Sequence, residues 1–282
     1  MNFLIKYKRI FYILGIIIAF LTLTILGNMI AYQFISQSDT SVSEDTSSSP
    51  SSNCNVLGIK LQGTITTYIP NSSDGSSTDD TVSSEDIVSA IETAKNNPDI
   101  KAVILSIDSS GGSGVAGEEV ANALKGLGKP SVAIIRDSGS SAAYWAATGA
   151  DKIYASNISS VGSIGVTQSY LDETAKDAKD GYKYIELTSV PYKDLGSPSR
   201  PITEEEKVIV IADLVKDHKV FVSEVAQNRN LKVEDVAKLA NGLSYEGMDA
   251  LKYGLIDGIG DMTTATKYIE DQIGEKADIC WY

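Results

Sequence analysis

Cysteine and histidine are scarce in this chain of 282 residues, which contains two cysteines and one histidine. Cys54, Cys280 and His218 lie far apart in the sequence, so the clustered spacing typical of a protein metal site is absent. A Walker A loop and a spaced dinucleotide fingerprint are absent as well. We therefore expect neither a metal nor a cofactor. A mechanism that needs a histidine would have to use His218.

Basic residues are outnumbered by acidic ones: 24 Lys and Arg against 37 Asp and Glu give a formal net charge of −13. A chain with this balance repels a phosphate backbone, so no nucleic-acid partner is expected. The remaining composition is ordinary for a globular protein. Its length leaves room for one domain of good size behind an N-terminal segment of different character.

The N-terminal segment predicts a membrane anchor. Three basic residues within 1–9 precede an uncharged run, residues 10–33, which exceeds the roughly 20 residues needed to span a bilayer. The basic flank should stay in the cytoplasm, and the rest of the chain should lie outside. A cleavable signal peptide is the alternative, but its apolar region is usually only about 7–15 residues long.

A flexible linker is predicted at residues 34–53, which are rich in Ser, Thr, Asp and Glu and join the anchor to a domain at 54–282. Cys54 opens that domain and Cys280 nearly closes it. Because both would lie outside the cell, they could pair and tie its ends together. The sequence alone does not give the distance that a disulfide requires.

Strand-like and helix-like segments indicate an α/β domain, and two Gly/Ser-rich loops within it each follow an apolar run of strand length and precede a helix. In the first loop, residues 108–114, glycines would let backbone N–H groups approach a ligand closely. In the second, residues 137–141, a serine would stand at a helix N-terminus, where free N–H groups can stabilise an oxyanion. Taken alone, the first loop is more typical of a plain glycine turn, and the second of ordinary serine N-caps.

Lys193 lies among apolar neighbours in a turn-rich connection, residues 188–200, after a segment at 182–187 that predicts a strand. A lone lysine in a loop is usually a solvated charge. If its neighbours fold inward, desolvation lowers the pKa of the amine and makes it a general base. His218 falls on the apolar face of a helix predicted over 203–228, which indicates a core or interface residue rather than a catalyst.

Several segments together resemble the short form of the signal peptide peptidase A family. They are Asp108–Gly112, Ser141–Trp145, Val161–Val166, Tyr192–Arg200 and Ala250–Gly260, and the likeness extends over nearly all of 56–260. Members of this family are membrane-anchored serine proteases with a Ser/Lys dyad. The resemblance implies an α/β, crotonase-like (Clp-protease-like) ββα spiral domain behind a single N-terminal transmembrane helix.

The same resemblance assigns roles to individual residues. It implies that Ser141 is the nucleophile, that Lys193 is the general base, and that Ser163 hydrogen-bonds the lysine and orients it. A serine hydroxyl needs a base to become nucleophilic, and a lysine fits a chain with so little histidine. Ser138 and Ser140, in the same turn, stay open as alternative nucleophiles.

The resemblance also implies an oxyanion hole made by the backbone N–H groups of Gly112 and Ala142, with Gly111 as the neighbour that could replace Gly112. It implies that the substrates are signal peptides left in the membrane, or other apolar peptides. It further implies a homo-oligomer, with the catalytic domain on the extracytoplasmic side of the cell membrane.

Two alternatives stay open at the level of the sequence. A crotonase-type acyl-CoA enzyme would share the fold and use glycine N–H groups to hold a thioester enolate. A catalytically inactive, membrane-bound scaffold would bind peptides or a partner protease without cleaving them. The presence of Ser141, Lys193 and Ser163 favours the peptidase.

Overall fold

The computed structural model describes residues 22–25, 54–69 and 80–282. The predicted flank, anchor and linker, residues 1–53, therefore lie outside the described residues, apart from a short helical piece at 22–25. Within the described ranges, no helix is both long and apolar enough to cross a membrane. The chain divides into two compact units, Met1–Ser49 and Pro50–Tyr282, and the second carries all the elements named below.

This unit alternates strands and helices along most of its length. In chain order they are β1 (Val56–Thr66), β2 (Thr81–Ser83), α1 (Ser84–Asn96), β3 (Ala102–Gly112), α2 (Gly114–Lys125), β4 (Ser131–Ser140), α3 (Ala142–Ala147), β5 (Lys152–Ala155), β6 (Ser160–Gly162), α4 (Thr174–Asp180), α5 (Glu204–Arg229), α6 (Val233–Leu239), β7 (Ser244–Glu246), α7 (Gly247–Lys252), β8 (Gly258–Ile259), α8 (Met262–Ile273) and β9 (Ile279–Trp281).

The strands form one sheet in the order β2-β1-β3-β4-β5-β8, and β9 also pairs with β1. The far end of β4 pairs with β6, and β6 pairs with β7. Among the described pairs only β6–β7 is antiparallel. The predicted α/β class is therefore confirmed, with a mainly parallel sheet.

Apolar side chains cover both faces of the central strands. On one face, Leu105 and Ile107 of β3 pack with α1, α2 and α3 in the larger core cluster. On the other, Ile104 packs with Ala265 and Ile269 of α8. Burial on both faces explains why 102–107 is apolar except at the buried Ser106, rather than alternating between apolar and polar residues.

A disulfide joins Cys54, just before β1, to Cys280 in β9, with 5.8 Å between their Cα atoms. The two strands lie side by side, in register from Val56 with Ile279 to Gly58 with Trp281. The pairing that the sequence left open is thus formed, and it closes a loop with a sequence separation of 226.

The strand predicted at 182–187 is wrong. These residues belong to no described strand pair and lie exposed in the connection between α4 and α5. An alternating pattern forms a strand only where a neighbouring strand can satisfy its backbone groups. Without such a neighbour the apolar side chains face solvent, and Leu187 is 93% exposed.

Candidate active site

Ser141 stands at the sharp turn between β4 and α3, with φ 53° and ψ −126°. A residue other than glycine adopts positive φ at a cost, so the surrounding structure must hold it there. Its N–H donates to the carbonyl of Gly162 at 2.7 Å, and its carbonyl accepts from Trp145 at 3.0 Å. The Ser141 side chain makes no capping hydrogen bond. It is therefore not an ordinary N-cap, and its hydroxyl is left for other partners.

The neighbouring serine is turned away from this position. Ser140 is buried, and its hydroxyl lies 3.2 Å from that of Ser138, 3.4 Å from that of Ser160 and 3.3 Å from that of Ser244. These four residues form a hydroxyl cluster across β4, β6 and β7. Because Ser138 and Ser140 are engaged in it while Ser141 faces a cavity, the geometry favours Ser141 as the nucleophile.

The glycine loop at the end of β3 passes directly against this turn. A Cβ on Gly111 would lie 2.8 Å from the Cβ of Ser141 and 3.1 Å from the nitrogen of Ala142, so only glycine fits. The N–H of Gly111 donates to Ser109 Oγ at 3.0 Å.

Gly112, the next residue, also requires glycine, because a Cβ there would lie 2.1 Å from the carbonyl oxygen of Ile65. The N–H of Ser113 donates to that oxygen at 2.8 Å. Gly112 has φ 151° and lies in register with Ile65 of β1. The glycine loop is therefore held between β1 and the turn at Ser141.

A cavity of about 570 Å³ opens in front of Ser141, and Ser163 shares it. Ser163 has φ 50°, and its hydroxyl donates to the carbonyl of Gly242 at 3.0 Å. Its N–H donates to the carbonyl of Leu243 at 3.1 Å. The floor is thus polar, while Ile211, Leu214 and Val215 of α5 make one wall apolar.

Lys193 is not brought to this cavity within the protomer. It is exposed, in the connection before α5, and is not among the residues that line the cavity. Its neighbours Val190 and Tyr192 are exposed too, so the inward folding that would desolvate the lysine does not occur here. No ion pair of Lys193 occurs in the described part of the chain.

His218 occupies a different place from the one expected. It is half-buried and lines the same cavity as Ser141, and its Nε2 is buried without a hydrogen-bond partner among the described residues. The apolar stripe of α5 divides: Phe221 is buried in the core, whereas Ile211 is 58% exposed. Helical spacing placed His218 on the stripe but did not show which part of the stripe enters the core.

Two cavity residues, Asn241 and Gly242, were missed from the sequence. Gly242 has φ 84°, and the Asn-Gly pair is a turn signal that the sequence does display. Nothing in the local pattern links that turn to Ser163, because the contact depends on how the chain returns after α6.

Comparison with known proteins gives independent information about the family of this chain. The model of peptidase family S49 matches residues 123–276, more than half of the chain, a stretch that includes Ser141, Ser163 and Lys193. A protein named as a protease in Methanocaldococcus jannaschii is 34% identical over 185 residues, which are 65% of this chain and 60% of that relative. A protein named signal peptide peptidase SppA in Enterococcus faecium is 32% identical over 164 residues, 57% of this chain and 48% of the relative.

A more distant relative, named Protease 4, from Haemophilus influenzae, is 28% identical over 229 residues, 78% of this chain and 35% of the relative. The chain thus spans only about half the length of the curated relatives it matches. Among solved structures, a ClpP1 mutant from Listeria monocytogenes aligns with a TM-score of 0.47 and 12% identity, covering 74% of this chain and 93% of that one. The family match and the relatives agree with the motifs that first suggested them, and this chain belongs to peptidase family S49.

Proposed function

We propose that this protein is a membrane-anchored serine endopeptidase that uses a dyad of Ser141 and Lys193 to cleave apolar peptides, mainly signal peptides left in the membrane. The observation that carries the proposal is the turn at Ser141, where an uncapped serine is held at positive φ beside the glycine loop and opens into a cavity. Membership of a peptidase family supports a hydrolytic role.

In the proposed reaction, Lys193 accepts the proton of the Ser141 hydroxyl as its oxygen attacks the scissile carbonyl. The N–H groups of Gly112 and Ala142 bind the oxyanion, each contributing on the order of 3 kcal/mol to stabilisation of the transition state. Lys193 then passes the proton to the leaving amine and activates the water that hydrolyses the acyl-enzyme. Ser163 orients the lysine from the floor of the cavity.

Assembly into a homo-oligomer supplies the lysine. Lys193 is exposed in its own protomer and is not among the residues that line the cavity of Ser141. Its connection presents Ile185 and Leu187 to solvent, and α5 presents Ile211. Exposed apolar surface of this kind is typical of protein contacts. Packing it against a second copy would desolvate Lys193 and deliver it to a Ser141.

The substrate and location follow from the surroundings of the cavity. Residues 166–171 are exposed and lie outside the helices and strands beside it, a suitable place for an extended peptide to dock. The disulfide between Cys54 and Cys280 suits an oxidising compartment, which supports an extracytoplasmic domain behind an anchor at 10–33. Protease added to intact cells should then digest the domain, and full protection would contradict this location.

The test of the dyad uses the full-length chain purified in detergent and an apolar, signal-like peptide. Ser141→Ala and Lys193→Ala should abolish hydrolysis, while His218→Ala and the exposed Lys183→Ala, a matched control on the same connection, should stay active. An active Ser141→Ala or Lys193→Ala variant would remove that residue from the mechanism. A wild-type protein that binds the peptide without cleaving it would favour the scaffold, and thioester turnover would favour the acyl-CoA enzyme.

A mixing experiment tests assembly separately. Ser141→Ala and Lys193→Ala proteins are each inactive on this proposal, but a mixed oligomer would contain sites with an intact serine and an intact lysine from different copies. Mixing the two after dissociation and reassembly should restore part of the activity. Mixtures that stay inactive while wild type recovers would place both residues of the dyad in one copy.

A further inference from the structure

The residues on either side of Lys193 are both tied down, although its own side chain is exposed. Tyr192 donates from its hydroxyl to Glu205 of α5, and it has φ 65°, a conformation that persists only where the surroundings hold it. The carboxylate of Asp194 accepts from the hydroxyl of Tyr184 at 2.7 Å. The backbone at Lys193 is therefore fixed from both sides.

Arg200 is the hub of this arrangement. Its Nε donates to Asp194 Oδ2 at 3.1 Å, and its NH2 group donates to the backbone carbonyl of Asp194 at 3.1 Å. NH1 and NH2 donate to the two carboxylate oxygens of Glu206 at 2.9 and 2.6 Å. A paired fork of this type fixes both distance and orientation, which a single charge contact does not. Nε also lies 3.3 Å from a carboxylate oxygen of Glu186.

On its other side, Arg200 contacts the first turn of α5. Glu206 is buried, with 4% exposure, and accepts from the backbone N–H of Thr203 at 2.9 Å in a capping box. The hydrogen bonds from Arg200 and the Thr203 backbone lower the pKa of Glu206 to about 2, so the pair stays charged at neutral pH. The guanidinium thus joins the lysine-bearing turn to a rigid helix start.

Several ion pairs among the described residues join side chains only three or four positions apart and do not tie separate segments together. The nearby pair of Lys207 and Glu204 joins two exposed side chains within a single helical turn, an arrangement that contributes little. The Arg200 side chain is only 19% exposed, and its contacts lie on the connection that carries Lys193 or on α5. A connection without a helix or strand of its own needs such a tie to present one residue in a fixed place.

We propose that Arg200 is a positioning residue for Lys193, clamping the turn that carries the lysine onto the start of α5 so that the amine is presented in one orientation. The inference rests on the proposed Ser/Lys dyad, in which a misplaced base costs rate rather than binding. Arg200 touches neither substrate nor the reacting atoms, and it acts through the backbone of Asp194.

The test compares full-length variants in detergent on the same apolar peptide. Arg200→Gln removes the fork, whereas Asp194→Asn weakens the contacts of the Asp194 carboxylate with Arg200 and Tyr184 and leaves the Arg200–Glu206 pair in place. Lys207→Gln, which breaks an exposed ion pair, is the matched control. Lys193→Ala reports on the base itself. For each variant, kcat, KM, the pH profile of kcat/KM and thermal unfolding are measured.

Arg200→Gln should lower kcat about tenfold or more with KM changed less than about twofold. The acid limb of its pH profile should move to higher pH, because a loosely held lysine is less desolvated. Asp194→Asn should cause the same changes with a loss of about threefold, and Lys207→Gln should match wild type. Arg200→Lys, which keeps the charge without the fork, should recover part of kcat.

Wild-type kcat or an unmoved acid limb in Arg200→Gln overturns the clamp, even where Lys193→Ala is inactive and the dyad stands. If Arg200→Gln does not fold, the same criterion is applied to Asp194→Asn, in which the Arg200–Glu206 pair is intact. Activity in Lys193→Ala overturns the dyad, and the clamp with it.

Discussion

Substituting alanine for Gly111 probes the contact between the glycine loop and Ser141 directly. Gly111 has φ 109°, which costs a residue with a Cβ on the order of 1–3 kcal/mol. Its Cβ would lie 2.8 Å from the Cβ of Ser141 and 2.9 Å from the carbonyl oxygen of Ser140. Restoring an ordinary carbon–carbon contact of about 3.5 Å requires a shift of roughly 0.7 Å at Ser141 or in the loop.

A displacement of that size at a reacting atom lowers the rate by about 100-fold, equivalent to about 2.7 kcal/mol of transition-state stabilisation. We expect Gly111→Ala to lose this much kcat on an apolar peptide and to label slowly with a fluorophosphonate that reacts with the active serine. Circular dichroism and thermal unfolding of the same preparations separate this loss from unfolding.

Gly128→Ala is the matched control. Gly128 is exposed and has φ 71°, and a Cβ there would meet nothing within 4 Å. The control should therefore lose about 1 kcal/mol of stability through its backbone, which corresponds to a fall of about 2–4 °C in Tm, without a clash at the site. If Gly111→Ala kept kcat/KM within about threefold of Gly128→Ala, the loop would not press against Ser141 and the reasoning would be refuted.

Three further results are expected. Replacing Cys54 and Cys280 by serine removes a disulfide with a sequence separation of 226, whose loop entropy contributes at most about 5 kcal/mol to the free energy of unfolding. The midpoint of urea unfolding should therefore fall, and an unchanged midpoint would contradict this. Because hydrogen bonds from Arg200 and from Thr203 lower the pKa of Glu206 from 4.5 to about 2, the stability that these contacts add is complete well above pH 4.5 and is lost as the pH falls towards 2. The unfolding temperatures of wild type and Glu206→Gln should therefore converge on acidification, and a constant gap would contradict the linkage. Ser140→Ala should lower kcat by less than about tenfold, since its hydroxyl only joins strands; an inactive variant would point to a direct role.

The sequence predicted the presence of the two strands at the site but not their lengths. The apolar runs 102–107 and 131–135 indicate two strands, yet β3 extends to Gly112 and β4 to Ser140. Their polar ends continue because partners satisfy their backbone groups. Ser138–Ser140 pairs with Ser160–Gly162, and Gly112 lies in register with Ile65. Such pairing is a tertiary event, and no local pattern encodes it.

The adjacency of the two loops follows more directly from the sequence. Loops after neighbouring parallel strands leave the sheet at the same edge, so the glycine loop and the serine turn were bound to be near each other once β3 and β4 paired. The sequence could not reveal the sign of φ at Ser141. It also could not tell that Gly111 is needed for close approach to Ser141 while Gly112 packs against the carbonyl oxygen of Ile65.

Lys193 and His218 were harder to place, for a shared physical reason. The burial of each residue depends on which other parts of the structure cover its own segment. Apolar neighbours around Lys193 suggested desolvation, but apolar residues are buried only where something covers them, and in the protomer nothing described covers Val190 or Leu187. For His218, helical spacing correctly gave the face of α5 on which it lies. One part of that face is buried in the core, and the part that carries His218 lines the cavity.

The two halves of the proposed dyad are thus held by different forces. Ser141 is fixed by buried strand pairing and close glycine contacts, which form when the domain folds. Lys193 is held by charge pairing of its turn to α5, and it lies on an exposed connection. A serine without its base is a poor nucleophile, so on the proposed mechanism a folded but unassembled chain is inert. On this proposal, folding builds the site for the oxyanion and assembly brings the base, so proteolysis would depend on the presence of the whole oligomer.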